Sequence, residues 1–149
     1  MAQSPLYDRD ILRLAASLHR WPLDDSHPIQ VEKRAPVCGS NIVISAALDT
    51  DSDNIRAIGM HVSACALGQA SAAILATHAE GLDRKTFERQ YGYCCDLLNG
   101  VAADRHNGWP EMVLLARAAP YPARHGAILL PYQALAAVFA GQSALDIAS

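Results

Sequence analysis

The stretch Asn41-Ile42-Val43-Ile44-Ser45-Ala46-Ala47-Leu48 alternates: Ile42, Ile44, Ala46 and Leu48 fall on one face at a period of two. That is the pattern of a half-buried β-strand. The run Asp49-Thr50-Asp51-Ser52-Asp53-Asn54 follows, a cluster of turn formers. Ile58, Met60, Val62 and Ala64 then alternate again, with His61 on the opposite face. Strand, polar turn and strand in this order predict an antiparallel pair. Upstream, residues 31–37 predict a preceding strand with Val31, Ala35 and Val37 on one face. Downstream the period changes at Cys65, where Ala66, Ala70, Ala73, Ile74 and Thr77 follow helical spacing up to Gly81 near the C-cap.

The flanks are helical. Residues 5–18 predict a first helix, with Leu6, Ile11, Leu14, Ala15 and Leu18 close to one face and Asp8 and Asp10 near its positive end. Trp21-Pro22 and His27-Pro28 break it into a loop. Asp83 is a candidate N-cap for a helix whose buried stripe reads Phe87, Tyr91, Cys94, Leu98 and Val101. Residues 104–108 predict a polar loop, and Pro110 opens a short helix through Ala118. Pro120-Tyr121-Pro122 predicts an extended stretch. Pro131 is expected to open the last helix, with Leu135, Val138 and Phe139 facing inward. The expected fold class is α+β: a three-stranded antiparallel β-sheet packed against helices on one face, a two-layer sandwich. One domain over 1–149 is expected, with a frayed tail over 143–149.

Composition limits the function classes. The chain has 149 residues, 51% of them hydrophobic, enough for a core without outside staples. The formal net charge is −3 with acids and bases interspersed, so no basic stripe points to nucleic acid. The most apolar stretch, residues 65–79, is broken by Gly, Gln, Ser and His and is too short and polar for a membrane span. The first residues, Met1-Ala2-Gln3-Ser4-Pro5, lack the pattern of a secretory signal, and a cytoplasmic location is expected. There the four cysteines should be reduced thiols, and no C-x-x-C pair suggests a zinc ribbon or thioredoxin-like site.

Cys38 stands in Pro36-Val37-Cys38-Gly39-Ser40, at a break between strands where Gly39 permits a tight turn. Cys65 follows a strand and opens a helix, whose free N–H groups favour thiolate over thiol. Both suit a metal ligand or sulfur acceptor; both also suit the common role of a small buried hydrophobe. Cys94 and Cys95 lie mid-helix about 100° apart, and packing is the expected role of the pair, with Cys94 on the buried stripe. Of the six histidines, His19, His27, His78 and His106 read as solvated or boundary residues, and His125, in Arg124-His125-Gly126 before the last helix, reads by itself as a surface histidine rather than a ligand.

Pro36-Val37-Cys38-Gly39-Ser40 resembles the P-x-C-G-D loop of the IscU/NifU/SufU iron–sulfur cluster scaffolds. Ala64-Cys65-Ala66-Leu67-Gly68-Gln69-Ala70-Ser71-Ala72 resembles their G-C-A-x-x-x-A-S-x segment, and His125-Gly126-Ala127-Ile128-Leu129 resembles the H-C-S-I-L of the IscU branch. The resemblance runs in order from Tyr7 to Ala137 and implies the NifU N-terminal-like fold. Carried over residue by residue, it implies Cys38, Cys65 and His125 as ligands. Ser40 and Gly126 stand where the family has an aspartate and a third cysteine, so two negative charges are lost. It implies a labile [2Fe–2S] cluster as cargo, with zinc or iron in isolated protein; two thiolates and an imidazole hold a cluster less tightly than three thiolates. Ala119-Pro120-Tyr121-Pro122-Ala123 departs from the chaperone-docking L-P-P-V-K by lacking its lysine, and the Cys65-to-His125 interval is longer than in the IscU branch.

The resemblance thus implies a scaffold or carrier, not an enzyme. Its partners would be a cysteine desulfurase or other sulfur-transfer protein and recipient apo-proteins, with no nucleic acid or membrane and with homo-oligomerisation open. The alternative is a fold-retaining adaptor of the assembly machinery without its own cluster. A third reading, Cys38 or Cys65 as nucleophile with His125, lacks an acid to orient the histidine.

Overall fold

The computed structural model describes residues 8–101 and 108–141. Helix α1 spans Arg9–Ala16 and runs into a 3₁₀ turn, Ser17–Arg20. Strands β1 (Ile29–Arg34), β2 (Asn41–Leu48) and β3 (Ile55–Ser63) follow, then α2 (Ala66–Thr77), α3 (Arg84–Leu98), a 3₁₀ segment Pro110–Ala118, a 3₁₀ turn Pro122–Arg124, and α4 (His125–Phe139). The expected starts at Pro5 and Leu6, His106, most of the 104–108 loop and the tail beyond Gly141 lie outside the described residues.

The sheet has the order β1-β2-β3, antiparallel throughout. Ile44 pairs with Val31 on one side and Met60 on the other, so the residues read as inward-facing share one face. That face meets the helices, and Val31, Ile42, Ile44 and Ala46 are fully buried there. Helix α4 packs on β1 and β2, α2 packs on α4, and α1 packs on α2. His61 lies on the other face and is exposed.

The second face is not left open at its centre. Residues 21–28 cross it, held by the Met60 N–H donating to the Trp21 carbonyl at 2.8 Å. Ser45 is fully buried beneath this strap. Its hydroxyl accepts from the Asp24 N–H and meets His27 Nδ1, both at 3.0 Å. His27 is therefore a half-buried anchor of the strap, at the boundary rather than fully solvated.

Several boundaries move for identifiable reasons. β1 ends at Arg34, and residues 35–40 form a closed turn with hydrogen bonds from Gly39 N–H to the Ala35 carbonyl and from Ala35 N–H to the Ser40 carbonyl, both 2.9 Å. Val37 is thereby 91% exposed instead of sheet-facing. In α3 the Asp83 cap stands as read, its carboxylate accepting from Thr86 N–H at 2.7 Å. The helix stops at Leu98, which leaves Val101 outside the stripe and exposed, with Gln90, Tyr93 and Leu97 buried instead. The 120–122 stretch turns as 3₁₀ helix from Pro122, a proline-compatible first helical position.

The largest shift concerns α4, which begins at His125 and carries Pro131 in its interior. A proline there removes the N–H that would bond the Ala127 carbonyl. The Ser71 hydroxyl of α2 donates to the Ile128 carbonyl at 2.6 Å, a bond that ties the two helices together one residue beyond that carbonyl.

Cys94 is fully buried among the α3 stripe, and burial, then the adjacent Cys95, push its thiol up to about 12. It stays a neutral, inert hydrophobe. Cys94→Ser should lower the unfolding free energy by about 1–3 kcal/mol through a poorly satisfied buried hydroxyl. Denaturant unfolding reads this loss, and iron and sulfide uptake by the folded variant should equal that of the unaltered protein.

Candidate functional site: the edge where two strands and two helices meet

The register brings Asn41 at the start of β2 opposite Ser63 at the end of β3. Cys38 lies three residues before that pair and Cys65 two residues after it. Adjacent antiparallel strands therefore deliver both cysteines to the same end of the sheet. Cys65 is the N-cap of α2, half-buried, and its side chain makes no capping hydrogen bond. Cys38 is exposed in the 35–40 turn, where Gly39 takes a left-handed φ of 74°, which glycine adopts without penalty.

The start of α4 reaches the same end. A Cβ at Gly68 of α2 would stand 3.2 Å from both the Ala127 methyl and the Ala127 carbonyl oxygen, so the two helix backbones approach as closely as a glycine allows. On the other side, a Cβ at Gly126 would meet only the Ala35 methyl, at 3.8 Å. His125 and Gly126 thus sit between the start of α2 and the turn that carries Cys38.

His125 is half-buried, and its Nε2 lies 2.8 Å from the Ala118 carbonyl oxygen. A carbonyl only accepts, so Nε2 is the donor, and the tautomer that donates there has its lone pair on Nδ1. Metal-ligating histidines commonly donate their other ring N–H to a backbone carbonyl in this way. The bond fixes both ring orientation and tautomer.

Ser40 is 6% exposed and close to Cys38: the thiol donates to the Ser40 hydroxyl across 3.1 Å, and as thiolate it would accept from that hydroxyl. The Ser40 hydroxyl first, then its backbone N–H, hold the Cys38 thiol below the ordinary cysteine value; slight burial opposes this, and the Arg124 charge adds to it. An aspartate here would repel the thiolate, whereas the serine hydroxyl supports it. Sequence reasoning counted Ser40 only as a loss and did not find Arg124. The only signal for Arg124 was its position beside His125.

The three segments converge, but their donor atoms are not assembled into a closed set. Among the described residues no group of three or more His, Cys, Asp or Glu side chains is arranged to hold a metal ion. Gly126, exposed at the second position of α4, contributes no donor. Cys95, on α3, has its thiol raised by burial and then by Asp96 and stands apart from this edge.

A reactivity contrast follows. Alkylation by iodoacetamide should reach Cys38 first, with a pH midpoint below that of an ordinary cysteine. Ser40→Ala should move that midpoint upward while Cys95, raised by burial, remains the slower site. Mass spectrometry after timed labelling across a pH series measures both; an unchanged midpoint in Ser40→Ala would rule out the hydroxyl as the thiolate's support.

No protein-family sequence model matches the chain, and no curated protein matches its sequence. Solved structures do match its fold. The crystal structure of a nitrogen-fixing NifU-like protein (N-terminal part) from Brucella abortus superposes with a TM-score of 0.76 at 23% identity, covering 88% of this chain and 90% of that one. A candidate iron–sulfur cluster assembly scaffold protein of the SUF system from thermophilic Fervidobacterium islandicum superposes with a TM-score of 0.78 at 18% identity, covering 88% of this chain and 94% of that one. At these identities the likeness is one of fold. The chain has the α+β, three-stranded antiparallel architecture of the IscU/NifU/SufU type.

Proposed function

We propose that the chain is an iron–sulfur cluster assembly scaffold or carrier, working as one domain over 1–149, whose cargo is held by Cys38, Cys65 and His125. The observation that carries this reading is the convergence of the two cysteine-bearing junctions and the start of α4 at one end of the sheet. The fixed His125 tautomer and the favoured Cys38 thiolate support it. Soft thiolates suit an iron–sulfide cargo, and imidazole suits iron or zinc. The role of the residues is to offer donors and to let go. With two thiolates, one imidazole and no third cysteine, a [2Fe–2S] cluster would be labile, and a fourth position falls to sulfide, water or a partner's side chain.

The partners in this reading are a cysteine desulfurase or another sulfur-transfer protein, and recipient apo-proteins. The exposed Cys38 turn, with Val37 beside it, gives such a donor access. Among the described residues no helix is long and apolar enough to cross a membrane. Reduced thiols at the site fit a cytoplasmic setting. No turnover role is assigned to Cys38, Cys65 or His125.

A second reading keeps the fold and drops the cargo: an adaptor of the assembly machinery. The substituted Ser40 and Gly126, and donors not gathered into a closed set, favour it. Anaerobic reconstitution with iron and sulfide separates the two. The scaffold reading expects a sulfide-to-iron absorption band that Cys38→Ala and Cys65→Ala each abolish. It also expects Gly126→Cys to retain the band longer under a chelator, since Gly126 is helical, lacks a positive φ and has room for a side chain. Equal lifetimes in a folded Gly126→Cys would mean that Gly126 does not face the cargo. No band in either protein would contradict the scaffold reading and make the adaptor the better one.

A further inference from the structure

The segment Pro110–Ala118 is a 3₁₀ run of 9 residues. Such runs seldom exceed roughly three or four residues, because their hydrogen bonds are poorer than those of an α-helix. The sequence suits the tighter winding: Met112, Leu115 and Ala118 recur at three-residue steps, where 3₁₀ side chains eclipse, and all three are fully buried. Rewound as α-helix, the run would shorten by about 0.5 Å per residue, about 4 Å in all. Each residue would also turn by about 20° relative to the one before it, which breaks up that stripe.

Side chains from three helices hold the run at both ends. At its head the Trp109 N–H donates to Oε1 of the buried Gln90 of α3 at 2.9 Å. His78, the C-cap of α2, stacks on Trp109 with ring centroids 4.6 Å apart, and its Nε2 lies 3.0 Å from both Glu111 carboxylate oxygens. A carboxylate accepts, so this nitrogen donates whether the ring is neutral or charged. At the tail the Arg117 guanidinium meets the carboxylate of Asp8, the N-cap of α1.

Ala118 ends the run, and its carbonyl oxygen is the one that meets His125 Nε2 at 2.8 Å. The same oxygen accepts from the Tyr121 N–H, also at 2.8 Å. Both its lone pairs are thus engaged, and its direction depends on the winding of the residues before it. With both ends held, the run cannot rewind. With the head released it can, and a displacement approaching 4 Å exceeds hydrogen-bond reach.

We propose that Glu111 and His78 are positioning residues for His125: they pin the head of the 3₁₀ run, and its winding aims the Ala118 carbonyl at the imidazole. This assignment rests on the reading in which His125 holds cargo. Helix α2 then serves the site from both ends, with Cys65 at its first cap and His78 at its last. The alternative is that the His78–Glu111 bond stabilises the fold only, and then the His125 ring is indifferent to it.

Long-range nitrogen–proton NMR of the imidazole rings in the unloaded full chain separates the two. At about pH 8, where ordinary imidazoles are neutral, it reads the His125 tautomer, with His125→Gln identifying the signals. The unaltered protein should show the ring protonated on Nε2. Glu111→Ala should move it toward the mixed tautomers of a free imidazole, while the amide signals of Ile44 and Met60 stay in place. Glu111→Gln, whose amide oxygen still accepts from His78, should keep the unaltered signature. Arg117→Gln releases the other end and should act as Glu111→Ala does, which keeps the test decisive if Glu111→Ala does not fold. After anaerobic loading, Glu111→Ala should lose cargo to a chelator about tenfold faster, and Glu111→Gln at the unaltered rate. The ring measurement needs no cargo, so a chain that never takes up a cluster would fail the scaffold reading without deciding the ring. A tautomer unchanged in folded Glu111→Ala and Arg117→Gln, or Glu111→Gln behaving as Glu111→Ala, would overturn the assignment.

Discussion

The near-contact of α2 and α4 at Gly68 sets most of what matters in this molecule. The Ala127 backbone lies against Gly68, and Ser71, three residues further along α2, bonds the Ile128 carbonyl across 2.6 Å. A larger residue at Gly68 would crowd the Ala64 methyl at 2.8 Å first and Ala127 of α4 at 3.2 Å; overpacking of this kind costs about 1–3 kcal/mol. The approach holds the first turn of α4 beside the first turn of α2. It therefore sets where His125 stands relative to Cys65.

The antiparallel register does the same for the other cysteine. Because Asn41 faces Ser63, the turn before β2 and the junction after β3 share an edge. Two short-range rules, hairpin pairing and close helix packing, thus bring the segments that carry residues 38, 65 and 125 to one end of the sheet. The edge stays accessible because the 35–40 turn is tight and carries exposed side chains on its outer side. A scaffold that must receive and surrender cargo needs such access, whereas a structural metal site is closed by four protein ligands.

Much of this was legible in the residues. The alternation of Ile42, Ile44 and Ala46 against Met60 and Val62 announced the sheet and its inward face, and Asp83 announced its cap. Both depend on local chemistry that periodicity records. The start of α4 was not legible, since proline is favoured in a first helical turn and Pro131 therefore reads as a helix opening. Ser40 was legible as a departure from a motif but not as a support for Cys38, because that role depends on the fold of the turn. The strap over Ser45 was also missed: His27 and Asp24 gain meaning only when residues 21–28 cross the second face. At the site, the positions of Cys38, Cys65 and His125 came from motif resemblance. Their shared edge came from register and packing.

The central claim is that Cys38, Cys65 and His125 together hold an iron–sulfide cargo. X-ray absorption at the iron edge of anaerobically loaded protein tests it most directly. The account predicts iron surrounded by sulfide and thiolate sulfur with a nitrogen neighbour that vanishes in His125→Ala, and thiolate scattering that falls in Cys38→Ala or Cys65→Ala. Iron whose surroundings are the same in the unaltered protein and in all three variants would contradict it.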